Sequence, residues 1–235
     1  SMAPLHNPGQ YLGIVLSEKI FTKAAQVVVF DTAFHQTIPA KAFRVALPNA
    51  FYEKNKIRVY GFHGTSHKYV ATQALAYLGK PDAKIVTLHL GNGCSMAAVY
   101  GQKCIDTSMG FTPLDGLIMG SRCGDIDPSV ILYLLSDLGY TAKEVHHLLN
   151  TESGMLGLTG SGDMRDVKKL YLAGDERAIL AYNMYAYRIQ KYIGAYAAAL
   201  NGLDAIVFTG GVGENDYLTR ELVCTDMEFL GIRLN

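Results

Sequence analysis

The chain has 235 residues, and its 21 Lys and Arg residues balance 21 Asp and Glu residues, so the formal net charge is zero. That balance provides no basic surface for nucleic acid or an anionic membrane, and neither partner is expected. A hydrophobic share of 49% predicts a substantial core and excludes a disordered chain. No apolar run has the length of a membrane span and no secretory signal pattern is present, so we expect a soluble cytoplasmic protein.

Both ends of the sequence suggest a piece of a longer protein. Ser1-Met2 resembles a cloning remnant and is left out of the fold prediction. The last residues, "FLGIRLN", follow an apolar stretch directly and carry no polar tail.

The cysteines are scattered along the chain without a CxxC pair, which argues against a zinc site and against a disulfide framework. We expect free thiols that pack as small apolar side chains. They are Cys94, Cys104, Cys123 and Cys224.

The first predicted strand is "QVVVF" (Gln26–Phe30), a short apolar run of the kind buried in a sheet that is covered on both faces. Asp31 follows it directly, and His35 lies four residues further on. A carboxylate at the end of a buried strand is either a functional residue or a cap for the next segment. Both alternatives stay open for Asp31.

The stretch "GFHGTSHKYV" contains two histidines, His63 and His67. Thr65 or Ser66, between them, is predicted to cap the helix that continues through "HKYVATQALAYLG". We expect His67 to be structural. The histidines lack the helical spacing, with a glutamate between them, that binds zinc.

A β-meander is predicted from Lys84–Leu90 through two glycine turns. The first turn is Gly91-Asn92-Gly93, followed by "SMAAV", and the second, Tyr100-Gly101, leads to "KCIDT". Successive N–H groups in a glycine-rich turn can hold an anion, and Asn92 can add a side-chain donor. The alternative is a plain hairpin turn, for which Asn-Gly is a favoured pair.

The loop "MGSRCGDIDP" places Arg122 between glycines, ahead of a helix that Asp127 and Pro128 begin and Gly139 ends. Arginine in such a loop suits recognition of phosphate or carboxylate by its planar guanidinium group. A surface salt bridge with Asp125 or Asp127 is the alternative.

A capping box is predicted at Thr141 and Glu144. Further on, "GSGDMRDV" places Asp163 and Arg165 in a loop before another helix. These two side chains could hold the ribose and base of a nucleotide, or could simply pair with each other.

A long helix is predicted from Glu176 to Leu200, ended by Asn201-Gly202. Its aromatic and apolar residues recur at helical spacing and are expected in the core or in a subunit interface. They are Tyr182, Tyr185, Ile189, Tyr192, Ile193, Tyr196 and Leu200. Interleaved strands and helices predict the α/β class.

The last predicted strand, Leu203–Thr209, overlaps a second glycine segment, "VFTGGVGEN" (Val207–Asn215), which precedes the helical stretch "NDYLTRELV". Strand, glycine turn and helix in this order can place an anion or a nucleotide at a helix N-terminus. The segment fits neither G-x-G-x-x-G nor a Walker A loop. Two distinct glycine turns therefore suggest a nucleotide held between them.

Eight blocks of the sequence, in the same order, resemble the acetokinase family of the sugar kinase/actin/heat-shock-chaperone superfamily. The blocks are "APLHNP" (Ala3–Pro8), "VFDTAFHQTIP" (Val29–Pro39), "YGFHGTSHKYV" (Tyr60–Val70), "HLGNG" (His89–Gly93), "DTSMGFTPLDGLIMGSRCGDIDP" (Asp106–Pro128), "ESGMLGLTG" (Glu152–Gly160), "DMRDV" (Asp163–Val167) and "FTGGVGEN" (Phe208–Asn215). They extend over nearly the whole chain.

The resemblance implies an α/β fold of the ribonuclease H-like, actin/hexokinase-type ATPase class, with a mixed sheet and flanking helices. Residues 1–34 would be the tail of the N-terminal domain and residues 35–235 most of the C-terminal nucleotide-binding domain. The family's first strand, its Asn- and Ser-rich phosphate turn, an acetate-binding arginine and a C-terminal glutamate implicated in Mg²⁺ binding have no counterpart here. We therefore expect a fragment that is inactive alone.

The resemblance also implies reversible, Mg²⁺-dependent phosphoryl transfer between ATP and acetate, which yields ADP and acetyl phosphate. Asp31 would lie beside the acetate and the metal, while His63 and Arg122 would stabilise the transferring phosphoryl group. His6, with Asp31, would line the acetate site. None of these residues is assigned as a direct metal ligand.

The resemblance implies nucleotide contacts in three segments, the first of them at the phosphates. They are His89, Leu90, Gly91, Asn92 and Gly93; Asp163, Met164 and Arg165; and Gly211, Val212, Gly213, Glu214 and Asn215. A homodimer through the C-terminal domain is implied as well. The alternatives are a propionate or butyrate kinase and a non-catalytic nucleotide-binding module.

Overall fold

The computed structural model describes residues 7–234, and His6 lies outside this range. The helices of the first half are α1 (Asn7–Ile20), α2 (Ala40–Phe43), α3 (Asn49–Asn55) and α4 (Gly64–Leu78), with a 3-10 helix at Ala33–Thr37. The first three strands are β1 (Lys84–Leu90), β2 (Cys94–Tyr100) and β3 (Lys103–Thr107). The second half contains α5 (Pro128–Ser136), α6 (Ala142–Thr151), α7 (Gly154–Thr159), α8 (Met164–Leu172), α9 (Glu176–Leu200), β4 (Ala205–Thr209), α10 (Gly210–Asn215), α11 (Tyr217–Cys224) and a 3-10 helix at Glu228–Leu230.

The strands form one mixed sheet in the order β3-β2-β1-β4. The predicted meander is confirmed, since β1 pairs with β2 and β2 with β3 in antiparallel fashion. On its other side β1 pairs with β4 in parallel, with His89 opposite Thr209. The carboxyl ends of β1 and β4 therefore lie at the same end of the sheet, and both glycine segments begin there.

Both faces of the sheet are covered, as the apolar strand patterns predict. On one face α9 packs Tyr182, Tyr185 and Ile189 against Val86 and Leu88, and all of these side chains are buried. The predicted core role of the tyrosine-rich stripe is thus confirmed for most of its members.

On the other face α4 packs Ala71 and Leu75 in a cluster with Ile85 and Ala97. The helix approaches β1 and β4 from this side. The sheet is consequently enclosed between α4 and α9. The end of the sheet where β1 and β4 terminate remains available for a site.

Most local helix signals are confirmed. The Asp127 side chain accepts a hydrogen bond from the Ser129 N–H at the start of α5, although that helix ends at Ser136, before Gly139. The capping box of Thr141 and Glu144 is present at α6. The long helix α9 ends at Asn201, which adopts a left-handed conformation.

Two local predictions for the first half of the chain are wrong. Gln26–Phe30 is not a strand: this segment is exposed, with Val27 at 82% and Phe30 at 69% relative exposure. An extended segment becomes a strand only when a neighbouring strand pairs with its backbone. Within residues 7–234 the sheet consists of β1 to β4, and Gln26–Phe30 pairs with none of them. At α4 neither Thr65 nor Ser66 is the cap, because His63 occupies that position.

Within residues 7–234, no helix has the length and apolar character needed to cross a bilayer. The four cysteines are free thiols, as expected.

Candidate active site

The two glycine segments meet where β1 and β4 end. In the β1–β2 turn the Gly91 N–H donates to the Gly93 carbonyl at 3.1 Å. Gly210 has a φ of +80°, and a Cβ there would collide with the backbone of Leu90. The predicted turn after β4 is in fact a short helix, α10, which begins directly against the end of β1, and α11 follows it.

A cavity of about 700 Å³ lies between these segments and the start of α8. It brings together most of the residues that the sequence assigned to nucleotide binding. These are Gly91, Asn92, Asp163, Met164, Arg165, Gly211, Val212 and Asn215. Sequence reasoning missed three further lining residues, Gly162, Lys168 and Asp216.

Lys168 and Asp216 form an ion pair across the cavity wall, with Nζ and Oδ1 2.8 Å apart. The Lys168 ammonium group also lies over the ring of Tyr217, 3.9 Å from its centroid. Burial raises the pKa of Asp216, but hydrogen bonds from Lys168, Thr219 and Tyr182 outweigh it and lower the pKa overall. A fixed ammonium group therefore stands at the cavity wall.

Asp163 and Arg165 pair with each other, which is the simpler of the two sequence alternatives. The Asp163 carboxylate caps α8 by accepting from the Arg165 backbone N–H at 2.9 Å, and it accepts from the Arg165 guanidinium as well. These hydrogen bonds lower the pKa of Asp163 to about 2. Since the Arg165 side chain is largely exposed, its guanidinium plane is available to a ligand in the cavity.

The remaining residues of the three predicted segments do not line the cavity. The Leu90 side chain belongs to the buried core, and Gly213 packs against Phe208. The Glu214 carboxylate accepts a hydrogen bond from Thr209 at 3.2 Å. Gly93 packs against the guanidinium group of Arg122.

Asp31 and His63 are joined at the start of α4. The Asp31 side chain accepts from the His63 backbone N–H at 2.7 Å, and its carbonyl accepts from the Gly64 N–H at 2.8 Å. His63 adopts a left-handed conformation with a φ of +54°. Asp31 therefore supplies hydrogen-bond acceptors to the start of α4 from a distant part of the chain and does not cap the segment that follows it, while its functional role stays a prediction.

Three histidine rings cluster around this point. The rings of His63 and His89 stack with centroids 4.2 Å apart, and the Ser66 hydroxyl lies 2.8 Å from Nδ1 of His89. Burial lowers the pKa of His89, whereas Asp31 and Glu214 act in the opposite direction. Both carboxylates therefore favour the protonated form of His89.

His67 is structural, as expected: it is fully buried and hydrogen-bonded at both ring nitrogens. Burial sets the pKa of His67 well below its ordinary value, so the ring is neutral near pH 7. His35 is also buried, and its Nε2 donates to the carbonyl of Phe62 at 2.8 Å. That bond fixes the backbone immediately before His63.

Arg122 lies on the loop between β3 and α5 and faces the β1–β2 turn. Its Nη1 donates to the Pro113 carbonyl at 2.7 Å. Burial lowers its pKa, although an arginine remains charged at any physiological pH. The salt bridge to Asp125 that was considered from the sequence is made by Arg188 instead, at 3.3 Å.

Gly154 supports the backbone of this arginine loop. Its φ is +61°, and an added Cβ would collide with the carbonyl oxygens of Met119 and Arg122. We expect Gly154→Ala to lower the free energy of unfolding by more than about 2 kcal/mol, because the left-handed conformation and the collision both oppose a side chain. Urea denaturation measures this.

Gly194→Ala is the matched control for that variant. Gly194 lies within α9 with open space around its Cα, so alanine is expected to leave stability unchanged or to raise it by up to about 1 kcal/mol. Equal unfolding midpoints for the two variants would contradict the supporting role of Gly154.

Within residues 7–234, no group of three or more His, Cys, Asp or Glu side chains could hold a metal ion by itself. A magnesium ion that arrives with nucleotide phosphates needs only one or two protein carboxylates. Asp31 and Glu214, whose charges both act on His89, are the carboxylates that could supply such a ligand.

Solved structures show the class of this fold. A crystal structure of Porphyromonas gingivalis acetate kinase matches with a TM-score of 0.92 and 52% identity, over 97% of this chain and 58% of that one. A propionate kinase from Francisella tularensis matches with a TM-score of 0.94 and 48% identity, over 97% and 59%. The fold is therefore that of the actin/hexokinase-like ATPases, in the form found in small-carboxylate kinases.

The particular family follows from the sequence comparison. The model of the acetokinase family matches residues 1–235, and the chain belongs to this family. The acetate kinase of Flavobacterium johnsoniae is 58% identical over 234 residues, which are 100% of this chain and 59% of that protein. The chain thus spans about three fifths of the length of such relatives.

Proposed function

We propose that the protein carrying this sequence is an acetate kinase, which transfers a phosphoryl group reversibly between ATP and acetate and yields ADP and acetyl phosphate. One observation carries the proposal: a nucleotide-sized cavity opens between two glycine segments, and the turn that forms its first wall has Arg122 packed against Gly93. At the end of the preceding strand, the ring of His63, whose N–H is bonded to Asp31, stacks on His89. Membership in the acetokinase family supports it.

The cavity suits a nucleoside diphosphate. The β1–β2 turn offers glycine backbone that an anion can approach closely, and the Lys168 ammonium group, paired with Asp216, offers N–H donors at the wall. The guanidinium group of Arg165 can stack on a base or meet a ribose. In this proposal the phosphates face Gly91–Gly93 and the nucleoside faces α8 and α10.

Arg122 and His63 would act on the phosphoryl group in transfer. Catalysis of phosphoryl transfer depends mainly on positioning and on neutralising the charge of the moving group. Arg122 supplies permanent positive charge within a partly buried loop, where its effect is strongest. A carboxylate substrate is already a nucleophile, so Asp31 has no proton to remove and would position the substrate or its metal.

Mg²⁺, when bound with the nucleotide, neutralises phosphate charge. Asp31 and Glu214 are the residues that would hold it, and neither has a competing ion pair in the described part of the chain.

The second candidate is a propionate or butyrate kinase. The match to the Francisella propionate kinase, at 48% identity, favours it as the nearest alternative. Both candidates predict the same cavity and the same roles for Asp31, His63 and Arg122. Comparing kcat/KM for acetate, propionate and butyrate decides between them.

A cytoplasmic location and a homodimer belong to the same proposal. The α9 helix exposes Leu180, Met184 and Tyr187, an apolar face that suits a subunit contact. Sedimentation equilibrium of the chain tests the dimer, and a monomer at all concentrations would contradict it.

Calorimetric titration of this chain with MgADP tests the nucleotide site directly. We expect saturable binding that weakens at least about tenfold, or 1.4 kcal/mol, in Asn92→Ala and in Asp163→Ala. Asn92 lies in the β1–β2 turn, which faces the phosphates in this proposal, and Asp163 holds the guanidinium group of Arg165 at the cavity.

Two further variants make the titration specific. Asp163→Ser keeps a capping side chain for α8 while it releases Arg165, so it separates loss of the site from loss of the helix. Asn55→Ala, at the end of the distant helix α3, should bind like the unaltered chain. A folded chain that gives no saturable heat with MgADP would contradict the site. A non-catalytic nucleotide-binding module would bind MgADP but show no acetyl phosphate formation in the complete protein.

A further inference from the structure

A row of four polar side chains runs from the interior of the sheet to the ring of His63. Thr87 Oγ1 lies 2.7 Å from Nδ1 of His67, and Nε2 of His67 lies 2.7 Å from the Ser95 hydroxyl. The same Ser95 oxygen lies 2.8 Å from Nδ1 of His63. Thr87, His67 and Ser95 have no exposed surface.

The single hydrogen of the Ser95 hydroxyl links the protonation patterns of His63 and His67. The Ser95 hydroxyl carries one hydrogen, which it can donate to only one of the two ring nitrogens beside it. It must accept a hydrogen from the other nitrogen, because both distances are those of hydrogen bonds. The protonation pattern of His67 therefore dictates that of Nδ1 on His63.

The direction of the row is given at its buried end. The Thr87 hydroxyl can donate to the carbonyl of Ala97, 3.4 Å away, only while it accepts from Nδ1–H of His67, so this direction is the one in which every hydrogen bond of the row is made. The buried His67 is neutral, which leaves its Nε2 without a hydrogen. Nε2 consequently accepts from Ser95, and Ser95 accepts from Nδ1–H of His63.

We propose that Ser95, oriented by His67 and Thr87, is a positioning residue that holds His63 in the tautomer with its hydrogen on Nδ1. Nε2 of His63 is then the nitrogen that takes up or releases a proton, and no other hydrogen in the row has to move when it does so. The catalytic consequence rests on the proposed function, whereas the tautomer does not.

Nitrogen-15 NMR of the histidine-labelled chain, without any ligand, tests the tautomer. At a pH where His63 is neutral we expect a pyrrole-type signal for its Nδ1 and a pyridine-type signal for its Nε2. His63→Gln identifies the pair of signals by their loss. A pyridine-type Nδ1 on His63 would overturn the proposal.

A substitution at the far end of the row gives the sharpest readout. Thr87→Val removes the acceptor for His67 Nδ1–H, and a buried N–H without a partner is costly. His67 should then carry its hydrogen on Nε2 and donate it to Ser95, whose hydroxyl should in turn donate to Nδ1 of His63. His63 should therefore switch to the Nε2–H tautomer, although it does not contact residue 87. Thr87→Ser keeps the hydroxyl and should keep the original pattern.

Thr72→Val, on the exposed face of α4, is the control for the valine substitution. Ser95→Ala is the second variant: it removes the acceptor for Nδ1–H, so the share of His63 that carries its hydrogen on Nδ1 should fall. An unchanged His63 tautomer in either Thr87→Val or Ser95→Ala would overturn the proposal, even if the other variant failed to fold.

Kinetics of the complete protein connect the tautomer to the reaction. Ser95→Ala should lower kcat about tenfold with little change in KM for the nucleotide, the size seen for outer partners of functional histidines. An unchanged kcat would refute the positioning role. A fixed tautomer in a chain that binds no MgADP would leave this inference standing and contradict only the proposed function.

Discussion

Arg122→Ala in the complete protein is expected to lower kcat about 10³-fold while MgADP binding is retained. The guanidinium group is partly buried, fixed by the Pro113 carbonyl and placed against Gly93 of the β1–β2 turn. Loss of an arginine that stabilises a transferring phosphoryl group has an effect of this order. Arg122 does not line the cavity, so the affinity for the nucleotide should change little. Steady-state kinetics and calorimetry measure the two quantities.

Two variants qualify this result. Arg122→Lys keeps one positive charge but loses the planar, two-pronged donor, so it should recover only a small part of the rate. Arg177→Ala removes an exposed arginine on α9 and should leave the rate unchanged. Turnover near that of the unaltered enzyme in Arg122→Ala would show that another group neutralises the phosphoryl charge.

Asp31→Asn is expected to lower kcat about 10²- to 10³-fold, since it removes the charge that would position Mg²⁺ or the substrate. The asparagine oxygen can still accept from the His63 N–H, so the start of α4 should be preserved. Asp31→Ala removes both the charge and the acceptor. We expect it to be worse than Asp31→Asn by the amount that misplacement of His63 contributes.

Measuring kcat against Mg²⁺ concentration separates the two roles of Asp31. If the carboxylate holds the ion, Asp31→Asn should need more Mg²⁺ for half-maximal rate, whereas Asp82→Asn, at a distant turn, should not. A rate in Asp31→Asn equal to that of the unaltered enzyme would leave Asp31 as a helix cap alone.

The parts of the fold that depend on neighbouring residues could be predicted from the sequence. The capping box at Thr141 and Glu144, the length of α9 and the meander of β1 to β3 were predicted from short-range patterns, and the structure has all three. Each is decided within a few residues by hydrogen bonds or by periodic burial, which is why the local sequence suffices.

Features that depend on distant partners could not be predicted. The start of α4 is held by Asp31, whose side chain accepts a hydrogen bond from the backbone N–H of His63, 32 positions later in the sequence. No local sequence pattern predicts such a contact. Gln26–Phe30 has the composition of a buried strand, but composition does not supply a pairing partner.

The candidate site divides in the same way. Its glycine segments and Asp163 were found from local sequence, because glycine and a helix cap are visible there. Lys168 and Asp216 were missed, since their ion pair exists only when α8 lies beside the start of α11. A charged residue one turn after a predicted ligand would have been a usable signal for Lys168.

The parallel pairing of β1 with β4 has a consequence for how the chain acquires its shape. Two strands and five helices separate these neighbours in sequence, so closing that loop costs more conformational entropy than closing the adjacent hairpins. On a ribosome the hairpins can form early, while β1 keeps an unpaired edge until Thr209 has emerged. Since α10 follows β4 without a break, the pairing of β4 with β1 also brings the α10 residues Gly211, Val212 and Asn215 into the wall of the cavity. A nucleotide that binds this cavity, as we propose, would stabilise the paired β1 and β4 by mass action.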